Sequence, residues 1–160
     1  MSQPSRAAFV SYASEDAAAA LRLAAGLRAA GIEVWLDSSE LKGGDAWDHR
    51  IRTQLRECAL FIPLISQRSS GRTEGYFRLE WHLADQRSHL MARSRPFIVP
   101  VCIDDTVEAE GDVPESFLAV QWARLAGGTP SAAFCTHVAA LLRVTPAPAA
   151  SLVATASSSR

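Results

Sequence analysis

No apolar run in these 160 residues approaches the ~20 that a membrane-spanning helix needs, and the longest, such as "CALFIPLI" at 58–65, are far short. The opening "MSQPSRAAFV" lacks the apolar core of a secretory signal. There is no basic block: 16 basic and 17 acidic side chains leave a formal net charge of −1, which excludes the electrostatic footprint of a nucleic-acid binder. Arg strongly outnumbers Lys, a bias that with the many alanines reads as the composition of a GC-rich genome. Cysteines number three, Cys58, Cys102 and Cys135, an odd count without CxxC spacing, which argues against a disulfide framework or a zinc site. Each lies in an apolar context, so buried free thiols are expected. His49, His82, His89 and His137 are scattered with no HExxH or other ligand spacing, so no metal site is expected. No GxGxxG follows a strand, no GxxxxGK[ST] exists, and Ser11 and Ser14 lack a GxSxG elbow. A cytoplasmic chain is expected, without a Rossmann or P-loop nucleotide site.

What is present is the apolar content of one domain of ordinary size, 48% of residues. "RAAFVSY" (6–12), "IEVWLD" (32–37), "ALFIPLIS" (59–66) and "PFIVPVCI" (96–103) read as strands, and "FLAVQWARL" (117–125) holds a short fifth. Pro63 removes a ladder donor from the third strand, so a local irregularity is expected there. Between the strands run helices. Ser14 is placed to cap the first, with Glu15 and Asp16 in its opening turn and Gly31 at its end. A second covers 47–58, a third runs through "EGYFRLEW" (74–81) to about Met91, and a last covers 130–144, with Pro130 near its start. "QRSSGRT" reads as a polar loop, and "DDTVEAEGDVPES" as an acidic one with a short helical turn. Strand–helix alternation implies a flavodoxin-like three-layer α/β domain: a five-stranded parallel sheet with helices on both faces. The domain is expected over 1–144. The Ala/Pro/Ser-rich 145–160 reads as a linker or disordered tail.

In open α/β sheets ligands bind outside the carboxyl ends of the strands. The segments "SYASED", "DSSELKGGDAW" and "SQRSSGRTEGY" fall at that edge, and Glu80 sits close to it in the second turn of its helix. Tyr76, Leu79 and Leu83 recur at helical spacing and are expected to mark its buried side. Tyr76 precedes Glu80 by four residues, which puts ring and carboxyl one turn apart, with roughly 5–6 Å between Cβ atoms. Taken alone, Glu80 is an ordinary solvated helix acid.

Together these segments resemble the Toll/interleukin-1 receptor (TIR) domain family, in a form similar to its bacterial enzymatic members. "AAFVSYASED" is similar to the family's first box. "LRAAGIEVWLDSSELKGGDAW" is similar to the second, with Gly31, Asp37 and the glycine-bearing loop into Trp47 in the family's order. "ECALFIPLISQRSSGRTEGYFRLEW" resembles the third strand and the helix with the family's catalytic glutamate, and "FLAVQWARL" the weak third box. The match covers roughly 7–144. In enzymatic members the glutamate follows an aromatic residue by four positions, as Glu80 follows Tyr76. The cysteine often found next to that aromatic is Phe77 here, and the serine two before it is Glu74.

The resemblance implies an NAD+ nucleosidase that cleaves the nicotinamide–ribose bond to give ADP-ribose or a cyclic isomer, with NAD+ as substrate rather than cofactor. Glu80 would be catalytic and Tyr76 would stack on nicotinamide. Ser11, Tyr12 and Ser14 would line the first-strand side of the cleft, and Asp37, Lys42 and Trp47 would come from the second-strand loop, where Gly43 and Gly44 suit reorganisation. The family also implies activation by TIR–TIR self-association, and a role in bacterial anti-phage defence. Two alternatives stand beside this reading. One is a non-catalytic TIR interaction module, which a buried Glu80, or one paired to Arg78 or Arg87 outside any cleft, would favour. The other is a nucleoside deoxyribosyltransferase-like activity using the same carboxylate.

Overall fold

A computed structural model describes residues 5–36 and 45–143, with the side chains of 45–47 excluded. Among the described residues, five strands form one sheet in the order β2-β1-β3-β4-β5, every pair parallel. The strands are β1 (Ala8–Ser11), β2 (Val34–Leu36), β3 (Leu60–Ile65), β4 (Val101–Cys102) and β5 (Ala123–Arg124). The helices are α1 (Ala17–Ala29), α2 (Asp45–Glu57), α3 (Gln67–Gly71), α4 (Tyr76–Ser88), α5 (Glu115–Leu118) and α6 (Ala132–Leu142). This is the flavodoxin-like three-layer α/β arrangement that the strand–helix alternation implies.

The two-residue side-chain period of a strand divides the core in two. Ala8 and Val10 of β1, with Leu60, Ile62 and Leu64 of β3, face α1 and α6, where they meet Leu23, Leu27 and Val138. Phe9, Phe61 and Ile65 face the other way, onto Ile51 and Leu55 of α2, Phe77 and Trp81 of α4 and Phe117 of α5. β1 and β3 are therefore buried throughout, and apart from Ser11 at the end of β1 they are apolar on both faces. The chain leaves β1 for β2 on one side and returns to β3 on the other. This reversal opens a crevice at the carboxyl ends of β1 and β3, the usual ligand position in open α/β sheets.

Pro63 leaves β3 continuous but interrupts its ladder with β4. Phe61 donates to Phe97 O and accepts from Val99 N, so the next residue on that side of the strand is Pro63, which has no N–H to give. Regular β3–β4 pairing resumes only at Leu64↔Val101, and the 96–103 segment contributes two strand residues instead of eight.

Other local expectations are corrected. Ser14 caps no helix: it begins a 3-10 turn (Ser14–Asp16) that leads into α1, and neither element has a side-chain cap. The "QRSSG" stretch is helical, because Ser66 and Ser69 satisfy each other's backbone N–H groups in a capping box built with serine at both positions. In 117–125 only Ala123–Arg124 is strand, and Phe117 and Leu118 belong to α5. Gly31 does end α1, with φ +89° and Ile32 N bonded to Leu27 O at 3.0 Å. Cys58 and Cys102 are buried free thiols, but Cys135 is only half-buried. The proposed boundary at 144 and the 145–160 tail lie outside the described residues.

Candidate active site

The buried stripe of α4 is Phe77, Glu80, Trp81 and Ala84, one position removed from the expected Tyr76, Leu79 and Leu83, which are all half-buried. That rotation puts Glu80 in the core-facing stripe. Its side chain has no solvent exposure. Ser11 ends β1 with the same side-chain parity as Phe9, so it faces α4, and it too is fully buried. The Ser11 hydroxyl donates to Glu80 Oε1 at 2.6 Å. Glu80 Oε2 has no hydrogen-bond partner among the described residues. Three other buried polar atoms share that condition, Trp81 Nε1, Asp85 Oδ1 and Ser116 Oγ, but Glu80 is the only fully buried carboxyl among them.

Neither nearby arginine neutralises it. Arg78 donates to the carbonyls of Arg72, Ser69 and Asp112 at 2.7–3.0 Å, and its guanidinium lies 5.1 Å from the Phe77 ring centroid and 5.2 Å from that of Trp81. It fastens the start of α4 to α3 and to the loop after β4. Arg87 donates to Leu55 O and Cys58 O, both at 2.8 Å. Trp81 packs edge-on to Phe77 at 5.0 Å and against Phe117 at 5.4 Å, in the same buried stripe of α4 as Glu80. Gly75 precedes the helix at φ +150°, where a Cβ would come within 3.1 Å of the Phe77 ring, so this entry into α4 requires glycine.

The sheet edge carries a second buried serine–carboxyl pair, on the opposite face. Asp16, 3% exposed, accepts from the Ser66 hydroxyl at 2.6 Å, and Arg68 approaches to 3.8 Å. Burial raises the Asp16 pKa above 3.8, against the lowering effects of Ser66 and Arg68. A cleft of about 360 Å³ beside it is lined by Glu15, Arg22, Arg68 and Asp104 among others. Neither Ser66 nor Asp16 stands out in the sequence as a pair. The signal was polar residues directly after β1 and β3, where a buried strand end needs partners.

Of the expected site residues, Ser11 meets Glu80 directly. Tyr76 opens the same helix one turn before it, half-buried. Tyr12 packs against the α1/α6 core, on the other face of the sheet. Ser14 is exposed, and its hydroxyl accepts from Arg72 at 3.0 Å next to the Arg72–Glu15 ion pair. Asp37 and Lys42 lie outside the described residues. Trp47 is the third residue of α2, and its side chain also lies outside them. No cluster of three or more potential metal ligands exists among the described residues.

The parallel five-stranded α/β sheet agrees with the sequence comparison, in which the TIR domain profile matches residues 8–139. The chain belongs to the TIR domain family. No curated protein matches the sequence significantly. A solved structure that it resembles is described as the activated Roq1 resistosome directly recognizing the pathogen effector XopQ (TIR domains), at 19% identity and a TM-score of 0.46, covering 61% of this chain. The match spans 58% of the length of that chain. Among the described residues no helix is long and apolar enough to cross a membrane.

Proposed function

We propose that the protein is an NAD+ glycohydrolase with Glu80 as its catalytic residue. The observation that carries this reading is the cost of the Glu80 side chain to the fold. A fully buried carboxyl that among the described residues has one hydroxyl partner, one orphaned oxygen and no ion pair destabilises the protein, by about 1–3 kcal/mol for the orphaned atom alone. A fold retains such a group where chemistry requires it.

The reaction suits one carboxylate. Most glycosidases need two, one to protonate the leaving oxygen. In NAD+ the leaving group is already a cationic pyridinium. When the N-glycosidic bond breaks, its electron pair returns to the ring and neutral nicotinamide departs without a general acid. Positive charge develops at the anomeric carbon, and Glu80 stabilises it from a low-dielectric interior. Water then attacks that carbon and loses a proton, giving ADP-ribose; attack by a group of the same molecule gives a cyclic isomer. Tyr76, one turn earlier, would supply the stacking surface for nicotinamide. Ser11 would act through Glu80 rather than on the substrate.

Glu80 is closed to solvent, so the substrate reaches it only after the surrounding elements part. This fits an enzyme of low activity as a dilute monomer and higher activity on self-association, in a cytoplasmic anti-phage response. Nicotinamide release that rises with protein concentration and disappears in Glu80→Ala supports this reading. Specific activity constant over a wide dilution series sinks the assembly part.

The complete burial of Glu80 favours one other reading, a non-catalytic TIR interaction module in which Ser11 and Glu80 are core polar residues. Absence of nicotinamide release under forced clustering would select it. Release of base from nucleosides instead of from NAD+ would select the deoxyribosyltransferase-like reading.

A further inference from the structure

The Asp16–Ser66 pair plays no part in the catalysis proposed for Glu80, which lies on the α4 face of the sheet. The cleft beside Asp16 is on the α1 face, and at about 360 Å³ it has the size of a small-molecule site. Its walls hold it open. Ala18, Ala19 and Arg22 line it from one face of α1, and the two alanines reach no further than Cβ. Across from them the loop after β5 is fastened to the same helix. Arg22 Nε donates to Gly127 O at 2.8 Å, and Gly128, at φ +88°, packs so close that a Cβ there would collide with Ala19 O. Two of the acids at the cleft are fully engaged. Asp104 Oδ2 accepts from Gln67 N at 2.9 Å and its Oδ1 from Thr106 N and Oγ1, while Glu15 is paired to Arg72. Asp16 is engaged on one oxygen only. Its Oδ2 accepts from Ser66, whereas its Oδ1 accepts no hydrogen bond among the described residues and has the Arg68 guanidinium 3.8 Å away. Arg22 forms no ion pair among the described residues, and Arg68 has no acid within hydrogen-bonding distance among them. One cleft therefore holds two guanidiniums with donors to spare and one buried acceptor oxygen.

We propose that this cleft binds a small phosphorylated sugar, with its phosphate held by Arg22 and Arg68 and one of its hydroxyls donating to Asp16 Oδ1. Two guanidiniums match the charge and the several acceptor oxygens of a phosphate, which each can grip through more than one N–H. The Asp16 oxygen calls for a hydroxyl, the donor that Ser66 already supplies to its other oxygen. An ammonium would have to shed its water to reach the same atom, in a place where burial already works against charge and raises the Asp16 pKa. The position is the usual one for a ligand in an open α/β sheet, outside the carboxyl ends of β1, β3 and β4. The proposal does not rest on the glycohydrolase reading, and its test does not involve Glu80 or NAD+.

The test is calorimetric titration of the full chain with ribose 5-phosphate, beside inorganic phosphate and ribose. The sugar phosphate is expected to bind, inorganic phosphate to bind about tenfold more weakly, and ribose to give no heat. Arg22→Gln with Arg68→Gln removes both cations at exposed positions and is expected to weaken binding about a hundredfold or more. Ala18→Phe, also at an exposed position, fills the cleft without altering any polar side chain and is expected to abolish binding. Unchanged circular dichroism melts confirm that both variants fold. No binding of ribose 5-phosphate by the wild type, equal affinity for it and for inorganic phosphate, or wild-type affinity in either variant would overturn the proposal.

Discussion

The Ser11 hydroxyl donates a 2.6 Å hydrogen bond to Glu80 Oε1 across 69 positions of sequence, and both side chains are closed to solvent. This contact ties the last residue of β1 to the second turn of α4. It satisfies one oxygen of the carboxyl and leaves the other without a partner.

The pair is therefore expected to weaken the fold. Removing both polar groups together, in Ser11→Ala with Glu80→Met, deletes the buried dipoles at nearly constant volume. The double variant is expected to be more stable than the wild type by about 1–3 kcal/mol and to release no nicotinamide. Urea denaturation measures the first, and a loss of stability in the double variant would show that the pair supports the fold instead.

Ser11→Ala alone is expected to lower kcat about ten- to a hundredfold with little change in KM, the equivalent of one hydrogen bond to a charged group. Such a split places Ser11 behind the carboxyl. A rise in KM at constant kcat would instead mean that Ser11 touches the substrate.

Asp16 predicts a pH dependence of stability. Burial raises its pKa in the folded state above the unfolded value near 3.8. Between those two values the folded state holds more protons, so stability falls as pH rises through the window. The contribution is fully present below the unfolded pKa and lost above the folded one. Asp16→Asn keeps an acceptor for Ser66 and removes the ionisation, so its stability relative to the wild type is expected to increase from acid toward neutral pH. Parallel melting curves against pH for the two proteins would contradict this.

Arg78 joins three backbone carbonyls and two aromatic rings from a half-buried position. Arg78→Met keeps the packing stem but strands those carbonyls. A loss of about 2–4 kcal/mol is expected, and hydrogen exchange should quicken first at α3 and at the start of α4. A change within ±0.5 kcal/mol would mean that water replaces the guanidinium at no cost.

The architecture was legible because strand and helix periods alternate cleanly, and because β1 and β3 are apolar enough to be central. The family was legible from its first two boxes. What sequence could not supply was the rotation of α4. Tyr76, Leu79 and Leu83 and the stripe of Phe77, Glu80, Trp81 and Ala84 both fit a helical period, and only the packing of Phe77 and Trp81 against Phe117 chooses between them. With that choice made, Glu80 moves from a surface acid to a buried one. Ser11 was named as a cleft residue by the family resemblance, but its partner lies far along the chain. Tyr12 was named with it by the same resemblance, and strand parity turns it toward the α1/α6 core. The helix at 67–71 was hidden because its capping box uses a second serine where glutamate or glutamine is the familiar signal.

The most direct test of the account is nicotinamide release from NAD+ by concentrated protein, followed by chromatography beside the Glu80→Ala variant. Release by the wild type and none by a folded variant is the predicted result, with ADP-ribose or its cyclic isomer as the second product. No release by the wild type, even when clustered, or equal release by both proteins, would contradict it.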